Sequence, residues 1–169
     1  MATRSETYTV ELARDEETGV VTQEEWRKEG RFDRADGPAV ITRDRISGKV
    51  VSESWYKSGR LHRADGPAKV ERSPTTGVVT LESWCRNGFT GRENGPAFVR
   101  RDASTGVAQI EEWSRVPDGK LHREDGPAII SRDPVTGAVI LARWYRDGQR
   151  IVVPQKIRAA FKAAQHPRP

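Results

Sequence analysis

Gly59-Arg60-Leu61-His62-Arg63-Ala64-Asp65-Gly66-Pro67-Ala68 decides the reading of this chain, because it recurs. Gly30–Ala39 reads GRFDRADGPA, Gly88–Ala97 reads GFTGRENGPA and Gly119–Ala128 reads GKLHREDGPA. A Trp precedes each copy, at Trp26, Trp55, Trp84 and Trp113, and Trp144 opens a fifth copy that breaks off after Gly148. Trp26, Trp55, Trp84 and Trp113 are 29 residues apart, and Trp144 follows after 31. The glycines Gly19, Gly48, Gly77, Gly106 and Gly137 keep the same spacing, as do the Gly-Pro pairs at Gly37, Gly66, Gly95 and Gly126. The two extra residues fall in Val116-Pro117-Asp118-Gly119, on the link from Trp to Gly. A fixed period of this length marks an array of supersecondary units, each burying its apolar side with the help of its neighbours.

Each unit reads as a β-hairpin. Pro67 opens a strand, where its missing N–H does least harm, and Ala68-Lys69-Val70-Glu71-Arg72 alternates. The matching Ala39–Arg43, Ala97–Arg101 and Ala128–Arg132 put Ala and then Val or Ile on one phase in every copy, so that phase is the buried one. Ser73-Pro74-Thr75-Thr76-Gly77 and Asp133-Pro134-Val135-Thr136-Gly137 suit hairpin loops of about four to five residues, and a return strand leads to the Trp. In the Asp-Gly-Pro-Ala link, Gly reads as the supplier of an unusual backbone angle. Pro fixes the next angle, and Asp acts as an Asx-turn acceptor. The expected fold is all-β, with five tandem hairpins at about 7–28, 38–57, 67–86, 96–115 and 127–146 forming an elongated, twisted antiparallel sheet. This repeat domain occupies 1–153, and a helical segment and tail occupy 154–169. After Pro154, the residues Ile157, Ala160, Phe161 and Ala164 share one helical face, which predicts a short capping helix.

Composition agrees with a thin architecture. Hydrophobic residues make up 35% of the chain, charged residues 31%, and mean hydropathy is −0.74. That is lean for a compact globule but reasonable for a repeat-built sheet with much exposed surface. Five Trp argue against disorder. The single cysteine, Cys85, excludes an intrachain disulfide framework and a Cys-based zinc site. No apolar run is long enough to span a membrane. Met1–Glu6 lacks the apolar core of a secretory signal, so a cytoplasmic location is expected. The net charge of +5 comes from 29 basic and 24 acidic residues interleaved along the units, the pattern of a mixed solvated surface.

Stacked units place like residues in columns. Arg14, Arg43, Arg72, Arg101 and Arg132 stand just before the turns and are the candidate phosphate contacts. Arg34, Arg63, Arg92 and Arg123 form a second column, and Glu24, Glu53, Glu82 and Glu111 stand two residues before a Trp. Pairing of these Arg with acids and stacking on Trp gives them a structural role. His62 and His122 occupy one repeat position two units apart, about 19 Å in a continuous sheet, too far for one metal or one acid–base pair. No catalytic, cofactor or metal motif is present in the sequence.

Trp55-Tyr56-Lys57-Ser58-Gly59 and Trp144-Tyr145-Arg146-Asp147-Gly148 resemble the aromatic-x-x-Gly hairpin signature of MORN-type repeats, in the variant form of YwqK-like antitoxins. The resemblance covers about residues 20–148. It implies a β-hairpin stack used for binding, with neutralisation of a partner protein as one expected role. The reading that follows is a non-enzymatic interaction module, without cofactor, that binds a protein over an extended β face. Inhibitor, immunity (antitoxin) or phage counter-defence roles fit such a module. The alternative is a polyanion binder that takes nucleic acid or an anionic membrane surface through the Arg columns and the basic helix. A homodimer through a sheet edge is a further expectation. Positions that depart from the unit consensus are the candidate partner contacts: Phe89, Thr90, Phe98 and the insertion Val116, Pro117, Asp118.

Overall fold

The structure, a computed structural model, describes residues 7–165. The reading of Met1–Glu6 as lacking a secretory signal, and the tail residues 166–169, fall outside those residues. The first strands in chain order are β1 (Thr9–Arg14), β2 (Val21–Lys28), β3 (Arg31–Phe32), β4 (Val40–Arg43), β5 (Val50–Ser54), β6 (Tyr56–Lys57), β7 (Arg60–Leu61) and β8 (Lys69–Arg72). They are followed by β9 (Val79–Ser83), β10 (Cys85–Arg86), β11 (Phe89–Thr90), β12 (Phe98–Arg101), β13 (Ala108–Glu112), β14 (Ile129–Arg132), β15 (Val139–Arg146) and β16 (Gln149–Ile151). One helix, α1 (Gln155–Ala164), follows.

One sheet runs in the order β1-β2-β4-β5-β8-β9-β12-β13-β14-β15-β16 and does not close. The five hairpins read from the repeat are β1–β2, β4–β5, β8–β9, β12–β13 and β14–β15, all antiparallel. Between units the register sets the Glu column against the apolar column, as in Glu24↔Ile41, Glu53↔Val70, Glu82↔Val99 and Glu111↔Ile130. The buried phase is the expected one. Ala39, Ala68, Ala97 and Ala128 are fully buried, and Ile41, Val70, Val99 and Ile130 nearly so. The accessible surface is 10724 Å². A globular monomer of 18.9 kDa exposes about 8,300 Å², so the excess is that of a thin sheet with two solvated faces.

The long-hairpin turns repeat one device. Gly19, Gly48, Gly77, Gly106 and Gly137 take positive φ, and each donates its N–H to the residue four before it, as Gly19 does to Asp15 O at 2.9 Å. The Asp at that position accepts the N–H of the Thr or Ser three residues on: Asp15 from Thr18 (2.9 Å), Asp44 from Ser47 (2.8 Å), Asp102 from Thr105 (2.9 Å) and Asp133 from Thr136 (2.7 Å). Neighbouring turns are also tied together. The Thr76 hydroxyl donates to Ala103 O at 2.6 Å, and Thr105 Oγ1 lies 3.1 Å from Pro134 O.

The Trp-to-Gly link, a connection in the reading of the unit and a hairpin signature by resemblance, is itself a hairpin. It pairs β2 with β3, β6 with β7, β10 with β11 and β15 with β16, and in the fourth unit it narrows to the bridge Ser114–Leu121. Glu29-Gly30, Ser58-Gly59, Asn87-Gly88 and Asp147-Gly148 all have positive φ at both residues, the tight turn whose twist matches that of the flanking strands. These short hairpins bond to one another. Gly59, Gly88 and Gly148 donate to Phe32, Leu61 and Leu121 carbonyls, each at 2.9 Å. Asp33, His62 and His122 accept the N–H of Ser58 (2.6 Å), Asn87 (3.2 Å) and Asp147 (3.2 Å).

The helix closes the C-terminal end of the stack. Phe161 meets the Trp144 ring edge-on at 5.9 Å, and Gln165 Oε1 accepts from Arg132 at 3.0 Å. Residue 152, eight after Trp144, is Val where the other units place the Arg that covers their Trp, so Phe161 takes over that work.

The Ser104 hydroxyl, with the Thr105 and Ser104 amides, lowers the Asp102 carboxyl from 3.8 to about 2. A folded-state value below the unfolded one means a contribution that is complete above about pH 4 and is lost as pH falls through about 2. Asp102→Ala is therefore expected to lower the urea midpoint at pH 7, with the gap to the parent shrinking toward pH 2. A gap that is constant over that range contradicts the assignment.

Candidate functional site

Each repeat motif folds around a guanidinium. Arg34, Arg63, Arg92 and Arg123 lie over the faces of Trp26, Trp55, Trp84 and Trp113, with Cζ 4.0, 4.1, 3.8 and 4.0 Å from the ring centroids. The Nε of Arg34, Arg63 and Arg123 donates to Asp36 (3.0 Å), Asp65 (3.2 Å) and Asp125 (2.8 Å), and Asn94 stands at that place in the third unit. These bonds hold the Asp36 and Asp125 carboxyls below their ordinary range. The reading of the motif glycines as backbone-angle residues is corrected at three of four positions. Gly37, Gly66 and Gly126 have ordinary φ, but a Cβ there would stand 3.0, 2.8 and 3.1 Å from the Arg guanidinium. Only Gly95 has a positive φ, +104°. The Asp, likewise, serves the Arg rather than an Asx-turn.

The Glu column completes the same face. The Trp26 indole N–H donates to Glu24 at 2.6 Å and, ahead of Arg43 and Arg34, lowers its pKa. Each Glu is paired with the pre-turn Arg of the following unit: Arg43–Glu24 3.3 Å, Arg72–Glu53 2.7 Å, Arg101–Glu82 2.7 Å and Arg132–Glu111 3.0 Å. Those four arginines are 15–33% exposed. Of the candidate phosphate contacts, Arg43, Arg72, Arg101 and Arg132 are thus engaged inside the sheet. Arg14 is exposed and donates to Gly19 O at 3.2 Å, and among the described residues it has no carboxylate partner.

The candidate partner contacts divide between two places. Phe89, Thr90, Val116 and Asp118 belong to one junction between the third and fourth units, and Pro117 is exposed beside it. A Cβ on Gly91 would stand 2.6 Å from Arg115 O, and one on Gly119 would stand 3.2 Å from Thr90 O. Arg115 grips Asp118 at 2.9–3.1 Å and also bonds Asp147. The insertion therefore fits against the third unit because Gly91 has no side chain, and the two departures from consensus are one accommodation. Phe89 remains 53% exposed at its rim.

Phe98 lies elsewhere, on the face of the sheet opposite the Trp column. Its cross-strand partners are Ser83 and Glu112, which makes Leu81 and Ile110 its diagonal neighbours. Ile129, opposite Glu112 and Arg143, extends the path to Leu141. Leu81, Phe98, Ile110, Ile129 and Leu141 form a half-exposed apolar zigzag across five adjacent strands. Sequence reasoning flagged Phe98 alone, although the outward phase of each strand already carried the other four.

His62 and His122 are held in equivalent inter-unit bonds, as turn elements. Among the described residues no three His, Cys, Asp or Glu side chains come together as a metal site, and no helix is long and apolar enough to cross a membrane. Cys85 is buried beside Ser83 and Thr90. The fold defines the class: an open β-hairpin repeat protein built on one main sheet, with β6–β7 and β10–β11 as separate two-stranded ribbons. No protein-family model, curated protein or solved structure matches the chain.

The contact of Gly66 with Arg63 makes the two positions energetically coupled. Gly66→Ala is expected to cost about 1 kcal/mol in the parent, by displacing the guanidinium from Trp55, and much less in an Arg63→Ala background. A double-mutant cycle by urea unfolding measures this, and strict additivity contradicts the account.

Proposed function

We propose that this chain is a non-enzymatic interaction module that binds a partner protein across the sheet face opposite the Trp column. One observation carries the reading. The Trp-side face repeats Ala, Ile or Val, Trp, Glu and Arg from unit to unit. The opposite face repeats little beyond Ser54 and Ser83, which are buried at one return-strand position. One row runs Glu25, Val40, Ser54, Lys69, Ser83, Phe98, Glu112, Ile129, Arg143. Positions that folding holds constant and positions that it leaves free are thus on different sides. The free side carries an apolar path with an aromatic residue in its middle and charges along it, the composition of an interface core with a polar rim. A small binder of this kind suits neutralisation of its target in the cytoplasm, the role of the antitoxin-like repeats that the Trp-x-x-x-Gly hairpin resembles.

The polyanion alternative loses support from its own residues. Four of the five pre-turn arginines are paired with Glu, and the motif arginines lie on Trp. Exposed cations remain for it on α1, at Lys156, Arg158 and Lys162, and on the short hairpins, at Arg31, Lys57, Arg60 and Arg150.

Affinity capture from lysate with and without nuclease separates the two. The expected result is a stoichiometric protein that survives nuclease and is lost with Phe98→Glu while the fold is kept. Recovery of nucleic acid alone, or of proteins that vanish with nuclease, contradicts the reading.

A further inference from the structure

The interior leading strands β4, β8, β12 and β14 each lie between two return strands, whereas β1 has only β2. The effect is visible position by position. Ile41, Val70, Val99 and Ile130 are at most 9% exposed, and Leu12 in the same column is 51% exposed. Ala39, Ala68, Ala97 and Ala128 are at 0%, and their counterpart Val10 is at 42%. All six residues of β1 are exposed. It carries no Pro or Lys, and its inward charge Arg14 and the bulge at Ala13/Arg14 recur as Arg43 and the bulge at Thr42/Arg43 on β4, which pairs on both sides.

A second absence falls on the same edge and the same face. Every interior pre-turn Arg is paired with a Glu of the preceding return strand. Arg14 is the member of that column with no preceding return strand among the described residues. The empty strand position and the Arg without a carboxylate coincide.

We propose that β1 takes up an extended acidic segment of the partner protein, antiparallel to it. In this arrangement a Glu of the segment stands opposite Leu12 and pairs with Arg14, as Glu24 stands opposite Ile41 and pairs with Arg43. An apolar residue two positions after that Glu then covers Val10. Main-chain bonds to the edge supply affinity, and the Glu supplies register. This rests on the reading of the chain as a protein-binding module and adds the chemistry of the segment it captures.

A second copy of the chain serves the edge less well. Two β1 strands paired about a two-fold axis keep their faces, and Glu11, the carboxylate of Thr9–Arg14, lies on the face away from Leu12 and Arg14, so within the described strand no register brings Arg14 a carboxylate. Pairing of β1 with β15 of another copy, in the register of the repeat, sets Ala142 opposite Leu12. That leaves Arg14 unpaired as well.

The test uses the full chain and a blocked peptide with the sequence of residues 50–57, VVSESWYK, itself a return strand. Amide NMR is expected to show shifts and slowed exchange confined to Thr9–Arg14, with a dissociation constant of about 0.1–1 mM. The Glu53→Gln peptide, or Arg14→Gln in the protein, is expected to weaken binding roughly three- to tenfold. The two changes together should lose no more than either alone. Phe98→Glu is expected to leave peptide binding intact, so the edge and the opposite face are read separately. Three results overturn the proposal: no peptide binding at millimolar concentration, equal binding of the Gln peptide, or a concentration-dependent dimer or polymer that protects β1 by itself. A captured protein that depends on Phe98 but leaves β1 exchange unchanged overturns it too, while leaving the proposed function standing.

Discussion

Everything in this fold depends on a guanidinium laid on an indole. A single sheet has no second layer to cover its apolar side, so the cover must come from its own side chains. Trp26, Trp55, Trp84 and Trp113 supply the area, and Arg34, Arg63, Arg92 and Arg123 close over them. An Arg stem is apolar and its head keeps a wet edge, which suits a cover only one residue thick. The neighbours follow from that choice. Gly37, Gly66 and Gly126 leave room for the guanidinium, and Asp36, Asp65 and Asp125 orient it. The Ala that follows the Gly-Pro pair is the residue buried completely. The repeated Asp-Gly-Pro-Ala is the imprint of an Arg that stands two residues before it.

The period, the five long hairpins, the buried phase and the terminal helix were all legible, because each is written in local alternation or in spacing. The short hairpin entered only through the resemblance of its Trp-x-x-x-Gly run to a hairpin signature, though Asn87-Gly88 and Asp147-Gly148 are its strongest local signal. Glu29-Gly30 and Ser58-Gly59 at the equivalent places mask it, since neither pair is a common tight-turn sequence. The role of the motif glycines was misread because a close approach by a side chain and a demand for positive φ select the same residue. The partners of the pre-turn arginines were out of reach for another reason. Arg72 and Glu53 belong to different hairpins and meet only once the inter-unit register is known. Gly91 and the insertion at Val116–Asp118 posed the same difficulty. Each looked like an independent departure, and only their contact shows that one permits the other.

The molecule is asymmetric in two directions, and both bear on function. Across the sheet, the Trp side is uniform and the opposite side is individual to each unit. Along the stack, the C-terminal end is closed by α1 through Phe161 on Trp144, and the N-terminal end is an exposed strand. The two arginine columns, Arg14 excepted, are committed to Glu, Asp and Trp partners, so net charge is a poor guide to what the chain binds.

The claim that one face folds the protein while the other is free for recognition is tested most directly by comparing unfolding curves of two variants. The first replaces Leu81, Phe98 and Ile110 together by Thr, and the second carries Trp84→Leu alone. The account predicts that the triple variant keeps a cooperative transition and loses less stability than the single Trp variant, because cross-strand pairs are worth only about 0.2–1 kcal/mol each. A triple variant that unfolds, beside a Trp84→Leu protein of near-parental stability, would contradict the assignment of the core to the Trp face.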